Sequence, residues 1–184
     1  MIRTLDFVAA VGGLLLTLPV VLIFMVIHCF TAKGSPIFAQ ARVGRGEVIF
    51  TCYKLRTMAP DTPSLGTHDV GVAAVTPLGR FLRRFKIDEL PQLWNVLKGE
   101  MSLVGPRPCL PGQSEVIAAR RALGVFACRP GVTGPAQVLR IDMSTPERLA
   151  AADLVWVASP TFLRYCKVLL ATASGKGFGD RIKS

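Results

Sequence analysis

The sequence predicts a membrane-embedded α/β protein that is mostly helical and monotopic, meaning that it enters the bilayer from one face only. Three features support this prediction: a long uncharged segment near the N-terminus, a β-hairpin pattern after it, and basic amphipathic helices further on. The chain has 184 residues, a net charge of +10 and 51% hydrophobic residues. This composition favours anionic lipids or phosphorylated substrates as partners. Nucleic acid is not expected, because no nucleic-acid-binding motif is present.

The first element is the segment from Phe7 to Phe30, which carries no formal charge. As a helix it measures about 36 Å, enough to cross a hydrocarbon core of about 30 Å. Pro19 lies near its middle, and a proline inside a helix removes one backbone donor and clashes with the preceding turn. We therefore expect a kink or a break at Pro19, where the Thr17 hydroxyl bonds to a freed carbonyl.

Basic residues flank this segment on both sides: Arg3, Lys33, Arg42 and Arg45. Because positively charged flanks stay in the cytoplasm, both ends are drawn to the same side of the membrane. A re-entrant helix broken at Pro19, covering residues 1–33, satisfies both flanks, and a kinked span is the alternative. A cleaved signal peptide is disfavoured, since Asp6 interrupts the basic leader. Residues 34–184 are expected to form a domain at the cytoplasmic membrane surface.

A β-hairpin is predicted over residues 37–58. Its two apolar runs flank the turn Gly44-Arg45-Gly46, and apolar residues alternate along the second run. A helix is expected to begin at Thr76-Pro77, where a capping hydroxyl precedes a proline in the first helical position. The five cysteines are scattered without a C-x-x-C pair, which argues against a zinc site and a disulfide scaffold.

The helix after Thr76 carries an apolar stripe at helical spacing with basic residues around it, formed by Leu78, Phe81, Leu82 and Phe85. Such a helix suits either a bilayer interface or a protein core, and both interpretations stay open. A second helix is predicted from Glu89 to Lys98, ended by Gly99. Two short segments, "SLVGPRP" and Arg129-Pro130-Gly131, are predicted as turns. Further predictions are helices over 145–157 and 161–173, a loop over 59–74 and a loose tail over 175–184.

The adjacent carboxylates Asp88 and Glu89 are the candidate catalytic residues. One interpretation is structural, because Asp88 stands where a helix N-cap is expected. The other rests on the basic residues along the chain, namely Lys54, Arg56, Arg83, Arg107 and Arg129. In such a cationic setting both carboxylates are expected to have lowered pKa values. An ionised pair that faces phosphates requires a divalent cation such as Mg²⁺ between them, or one carboxylate attacks phosphorus itself.

Four segments together resemble the bacterial sugar transferase family, the monotopic phosphoglycosyl transferases. They are "SPIFAQARVG", "YKLRTM", "TPLGRFLRRFKIDELPQLWNVLKGEMSLVGPRP" and "RPGVTGPAQV". The resemblance runs from the N-terminal apolar segment to about Val138. It implies transfer of a sugar-1-phosphate from a UDP-sugar to undecaprenyl phosphate, with Mg²⁺, at the cytoplasmic face of the bacterial inner membrane. UMP leaves, and the product begins a glycan such as an exopolysaccharide or a lipopolysaccharide chain.

The resemblance also implies roles for single residues. Asp88 would be the nucleophile of a ping-pong reaction that passes through a covalent aspartyl phospho-sugar. Glu89 would assist, by binding the metal together with Asp88 or by orienting the attack. The family's motifs mark five residues as phosphate or substrate contacts: Arg83, Arg107, Arg129, Lys54 and Gln137.

The chain departs from the family's motifs at Leu55 and Pro135, and its C-terminal third matches only loosely. The donor sugar and the state of oligomerisation are therefore not assigned, and a homo-oligomer stays open. The rival hypothesis is a non-catalytic scaffold on the membrane surface that binds anionic lipid. In that case the acidic pair would be no more than a helix cap.

Overall fold

The computed structural model describes residues 2–59, 62 and 75–175. In chain order the elements are α1 Ile2–Thr31, β1 Ile37–Val43, β2 Ile49–Leu55, α2 Pro77–Arg84, α3 Gln92–Lys98, β3 Ser102–Val104, α4 Ser114–Ala122, β4 Gly131–Thr133, α5 Pro135–Val138, α6 Pro146–Ala158 and α7 Phe162–Ala173. Helices dominate and a small hairpin is present, as predicted. The predicted loop over 59–74 and tail over 175–184 lie almost entirely outside the described residues.

Helix α1 is continuous through Pro19. The predicted break into two separate helices is therefore not observed, whereas a kink at Pro19, the other outcome expected, is compatible with one continuous helix. Thr17 Oγ1 donates to Gly13 O at 2.7 Å, whereas the carbonyl that lacks its helical donor is that of Leu15. An 18-residue window of α1 has a mean hydropathy of 2.7 and is 6% buried, so α1 is long and apolar enough to cross a membrane.

Arg3, near the start of α1, contacts the end of α3. Its guanidinium donates to Val96 O at 2.5 Å and to Leu97 O at 2.9 Å. The last carbonyls of a helix have no partner within the helix, and a cation there also interacts favourably with the helix dipole. Arg3 therefore attaches α1 to α3. The sequence marked Arg3 only as a charge flanking the apolar segment and did not predict this contact.

Asp6 is the second polar anchor of α1, and its side chain is buried. Its Oδ2 accepts from Ser102 Oγ at 2.8 Å, and its Oδ1 accepts from Leu103 N at 3.0 Å. The Tyr165 hydroxyl also donates to Oδ1, at 2.9 Å. One carboxylate thus joins α1 to β3 and α7. A lone acidic residue beside a long apolar run is a signal for such a partner.

The predicted hairpin is confirmed, with β1 antiparallel to β2 and Ile37 opposite Leu55.

Helix α2 begins at Pro77 as predicted, and the Thr76 hydroxyl accepts from Gly79 N at 2.9 Å. The predicted apolar stripe of α2 divides after folding: Leu82 is buried, while Phe81 and Phe85 are about half exposed. The Phe81 ring lies 6.1 Å from that of Phe24 in α1.

Two short strands were not predicted. Strand β3 pairs in parallel with β4, with Ser102 opposite Gly131 and Val104 opposite Thr133. Both segments were predicted as turns, because a strand of three residues has no readable alternation and its partner lies far along the chain. Helix α4 was also missed, whereas α6 and α7 begin and end within one residue of the predicted bounds.

Candidate active site

Asp88 and Glu89 lie in a 3₁₀ turn, Ile87–Glu89, between α2 and α3, which we call the acidic turn. The N-cap position of this turn is held by Lys86 in the left-handed conformation (φ 55°), and the N-cap position of α3 is held by Pro91. Asp88 occupies neither position, which disfavours the capping interpretation. Both carboxylates are buried, at 7% and 8% exposure. Buried carboxylates are costly unless cations or hydrogen-bond donors compensate them.

Glu89 has two cationic partners on one oxygen. Lys54 Nζ lies 2.9 Å from Glu89 Oε1, and the Arg107 guanidinium lies 3.2 Å from the same atom. Burial alone would raise the pKa of Glu89, but Lys54, Arg107 and then Lys86 outweigh it and hold this pKa well below its ordinary value. Glu89 is therefore ionised at neutral pH and fixes two cations beside Asp88.

Arg83 is presented by α2, which packs against the acidic turn. Its Nε donates to Thr57 Oγ1 at 2.9 Å. Its Nη1 is buried and has no hydrogen-bond partner among the described residues. A buried guanidinium nitrogen without a partner costs free energy, and an incoming phosphate oxygen would remove that cost. Arg83 thus has a buried donor available for an anion, and its contact with phosphate stays a prediction.

Arg107 lies in the Pro106-Arg107-Pro108 segment, which we call the PRP loop. Four consecutive carbonyls of this region each accept a hydrogen bond from a different donor. The pairs are Pro106 O with Gly131 N at 2.9 Å, Arg107 O with Arg120 Nη1 at 2.7 Å, Pro108 O with Arg42 Nη1 at 3.0 Å, and Cys109 O with Val43 N at 2.9 Å. The backbone that carries Arg107 is therefore held in place from several sides.

Two predicted site residues are not brought to this cluster. Arg129 Nε donates to Gly99 O at 2.7 Å, at the end of α3 opposite the acidic turn. Gln137 Nε2 donates to Val132 O at 3.3 Å, and its Oε1 is buried without a hydrogen-bond partner among the described residues. Folding thus joins Lys54, Glu89 and Arg107, while Arg129 fixes the backbone elsewhere.

Asn95 is a further important residue that sequence reasoning missed. It is fully buried in α3, and its Oδ1 accepts from Tyr53 N at 3.1 Å. Its Nδ2 donates to Thr51 O and to Glu100 Oε2, both at 2.7 Å. Asn95 thus binds α3 to β2, the strand that carries Lys54. No sequence signal marked Asn95, because it lies on a different face of α3 from the apolar residues Leu93 and Leu97.

The acidic turn fits Mg²⁺ as part of a complex with substrate. Among the residues that the structure describes, no three His, Cys, Asp or Glu side chains gather into a metal site. Mg²⁺ is usually held by one or two carboxylates, while phosphate oxygens and waters complete its octahedron. Asp88 and Glu89 are two adjacent carboxylates of the kind that such a complex uses.

The buried carboxylates and the cations fixed beside them form the candidate active site. The model of the family described as "Bacterial sugar transferase" matches residues 1–176. The chain therefore belongs to this family and is a transferase enzyme.

Three curated relatives illustrate the similarity. A Caulobacter vibrioides UDP-glucose:undecaprenyl-phosphate glucose-1-phosphate transferase is 39% identical over 92% of this chain and 67% of its own length. A UDP-galactose-lipid carrier transferase of Erwinia amylovora is 40% identical over 80% of this chain and 34% of its own. A UDP-N-acetylgalactosamine-undecaprenyl-phosphate N-acetylgalactosaminephosphotransferase of Aeromonas hydrophila is 38% identical over 74% of this chain and 33% of its own length. The chain thus spans about a third of the length of two of these relatives.

Proposed function

We propose that the protein transfers a sugar-1-phosphate from a UDP-sugar to undecaprenyl phosphate and releases UMP, as the first membrane step of a bacterial glycan pathway. The observation that carries this proposal is the buried acidic turn, in which Asp88 adjoins a glutamate fixed by Lys54 and Arg107. The names of the relatives support the substrate class. They differ in the sugar, so the donor is assigned only as a UDP-hexose or its N-acetyl derivative.

In the first half-reaction, an Asp88 carboxylate oxygen attacks the phosphorus that bears the sugar. The bond from this phosphorus to the bridging oxygen breaks, and that oxygen leaves with UMP. A phospho-sugar remains on Asp88 as an acyl phosphate. Arg83 and Arg107 hold the phosphate oxygens by charge-assisted hydrogen bonds, which stabilise the negative charge of the transition state.

In the second half-reaction, a phosphate oxygen of undecaprenyl phosphate attacks the same phosphorus. The bond to Asp88 breaks, the carboxylate is restored, and the lipid diphospho-sugar leaves. Two successive steps of this kind constitute a ping-pong mechanism. Glu89 stays ionised throughout and keeps Lys54 and Arg107 beside the reacting phosphate. Mg²⁺, held by Asp88 and Glu89, would neutralise charge on the donor diphosphate.

We further propose that α1 is re-entrant through a bend at Pro19 within its continuous helix, so that the protein is monotopic at the cytoplasmic face of the inner membrane. Contacts with the rest of the protein lie near both ends of α1: Arg3 and Asp6 bind α3 and β3, and Phe24 meets Phe81. Between these contacts α1 exposes apolar residues in its middle, among them Leu15, Leu16, Leu22 and Ile23. This arrangement supports insertion of the middle of α1 into one leaflet, with contact to anionic lipids by exposed basic residues such as Arg80 and Arg84.

The decisive experiment uses the full chain purified in detergent, with a panel of UDP-sugars and a luminescent assay of UMP. Incubation with the donor alone should add the mass of one sugar phosphate to the peptide that contains Asp88. Asp88→Asn should abolish both the adduct and the exchange of labelled UMP. Glu115→Gln, at an exposed position on α4, is the matched control and should behave as the wild type.

Near-normal exchange in Asp88→Asn, or an adduct on another residue, would refute Asp88 as the nucleophile. UMP release that requires both substrates at once would refute the ping-pong order. Labelling of single cysteines placed at residue 2 and at Lys33 tests α1, since a re-entrant helix makes both sites accessible from the cytoplasm. Accessibility from opposite sides would establish a span.

A further inference from the structure

The position of Arg107 depends on a buried ion pair that the proposed chemistry does not use. Arg120 of α4 is 1% exposed and Asp153 of α6 is 0% exposed. Arg120 Nε and Nη2 both donate to Asp153 Oδ2, at 3.0 Å and 2.6 Å. The remaining terminal nitrogen, Nη1, donates to Arg107 O at 2.7 Å. One guanidinium therefore bridges α6 and the backbone of the residue that binds Glu89.

Core stability does not explain this pair. A buried ion pair gains little over apolar residues of equal volume, because desolvation of both charges offsets their attraction. The pair also leaves Asp153 Oδ1 buried without a hydrogen-bond partner among the described residues. Burial accordingly raises the pKa of Asp153, against the opposing influence of Arg120. A costly arrangement of this kind suggests a function beyond packing.

A second buried arginine acts on the same loop. Arg42 of β1 donates from Nη1 to Pro108 O at 3.0 Å, and its Nη2 donates to Gln40 Oε1 at 2.5 Å. The carbonyls of Arg107 and Pro108 are thus each held by a guanidinium anchored on a different element. The two prolines restrict the backbone further, since each fixes its own φ. The backbone that carries Arg107 is thus restrained on both sides of this residue.

We propose that Arg120, oriented by Asp153, is a positioning residue that holds Arg107 in place for the phosphate. This inference rests on the proposed function only for the identity of the substrate. Arg120 does not touch Glu89 in the structure; it acts on the carbonyl of Arg107, whose side chain reaches Glu89 Oε1 at 3.2 Å. A displacement of about 1 Å in such a group can lower a rate about a hundredfold.

The test separates positioning from packing by replacing both partners. Arg120→Met with Asp153→Leu fills the space with apolar side chains and leaves no buried charge, so the fold should persist. Arg120→Lys is the second variant, because it keeps the charge but loses the planar fork that serves Asp153 and Arg107 O together. Arg121→Met is the matched control: Arg121 is the next residue of α4 and makes an equally short, two-bonded pair with Glu47 on the surface.

Three quantities are measured for each variant: the rate of UMP release, the affinity for UDP by titration calorimetry, and hydrogen exchange of the amides at 105 and 109. The double variant should unfold at a temperature close to that of the wild type. It should nevertheless release UMP at least tenfold more slowly, bind UDP more weakly and exchange these amides faster. Arg120→Lys should show the same pattern, and Arg121→Met should match the wild type in all three.

Dependence on Arg107 is tested with a double-mutant cycle. The cycle compares Arg107→Ala alone with Arg107→Ala combined with the Arg120/Asp153 replacement. If Arg120 acts through Arg107, the combined variant should differ from Arg107→Ala by less than twofold in both the rate of UMP release and the affinity for UDP. The proposal would be overturned if the Arg120/Asp153 replacement lowered UMP release by the same factor with and without Arg107→Ala. It would also be overturned if the Arg120/Asp153 double variant had wild-type activity. Should no UDP-sugar release UMP even with the wild type, the proposed function fails, while UDP affinity and amide exchange still decide the positioning.

Discussion

Lys54 Nζ lies 2.9 Å from Glu89 Oε1, and this contact joins the end of the β-hairpin to the acidic turn. Lys54 belongs to β2 and Glu89 to the acidic turn, so the pair forms only after the hairpin docks on α3. Asn95 secures that docking through its bonds to Tyr53 N and Thr51 O. The electrostatic setting of Asp88 thus depends on the packing of β2 against α3.

Replacement of Lys54 should destabilise the fold through Glu89. Lys54→Met leaves a buried carboxylate with one of its two hydrogen-bonding cations, and the expected cost is about 1–3 kcal/mol in the free energy of unfolding. Denaturant titration in detergent measures it. Lys98→Met is the control, because the Lys98–Glu100 pair is as short but its lysine is 40% exposed. Equal losses in the two variants would show that burial of Glu89 does not set the energy of its pairing.

Arg83→Lys should impair use of the donor. It retains the charge but loses the planar guanidinium, whose buried Nη1 has no protein hydrogen-bond partner among the described residues. We expect kcat/KM for the UDP-sugar to fall about tenfold or more, since a bidentate contact to phosphate is lost. Arg84→Lys, at the neighbouring exposed position, should change it less than about twofold. Similar kinetics for both variants would exclude Arg83 from the phosphate site.

Gly134→Ala should disturb the support of the PRP loop. A Cβ at this position would lie 2.0 Å from Gly105 O, a backbone atom that cannot move aside as a side chain can. We expect a loss of about 1–3 kcal/mol in stability, measured by denaturant titration, together with slower UMP release. Gly112→Ala is the control, because its Cβ would meet nothing within 4 Å. A fully stable, active Gly134→Ala protein would contradict the close backbone packing described above.

The Asp6–Tyr165 contact should make stability depend on alkaline pH. Burial, together with the hydrogen bond to Asp6, raises the pKa of Tyr165 above its ordinary value of about 10. The folded state keeps this proton at pH values where the unfolded chain has lost it. The free energy of unfolding therefore falls as the pH rises above about 10.

Tyr165→Phe removes this titration. Its unfolding temperature, measured by differential scanning fluorimetry in detergent, should decline less than that of the wild type between about pH 9 and pH 11. The lysines titrate in the same range in both proteins, so the difference between the two curves reports on Tyr165 alone. Parallel curves would mean that the proton on Tyr165 contributes nothing to stability.

Sequence reasoning succeeded where the signal is local. The helix start at Thr76-Pro77, the stop at Gly99 and the turn after β1 each depend on the preferences of a few adjacent residues. The acidic pair was recognised as a candidate site in the same way. Arg129 was assigned to that site on equal grounds, since its turn resembles that of Arg107, but the sequence did not predict that its Nε would bind Gly99 O.

By itself the sequence determined the apolar helix, the hairpin and the run of helices, and it marked Asp88 and Glu89 as candidates, because these follow from composition, periodicity and short motifs. Only the tertiary structure decided which cations reach Glu89, that β3 pairs with β4, and that Arg120 and Asp153 meet beneath the PRP loop. Those contacts join residues far apart in the chain. Their formation depends on how whole elements pack, and no local pattern of side chains records that packing.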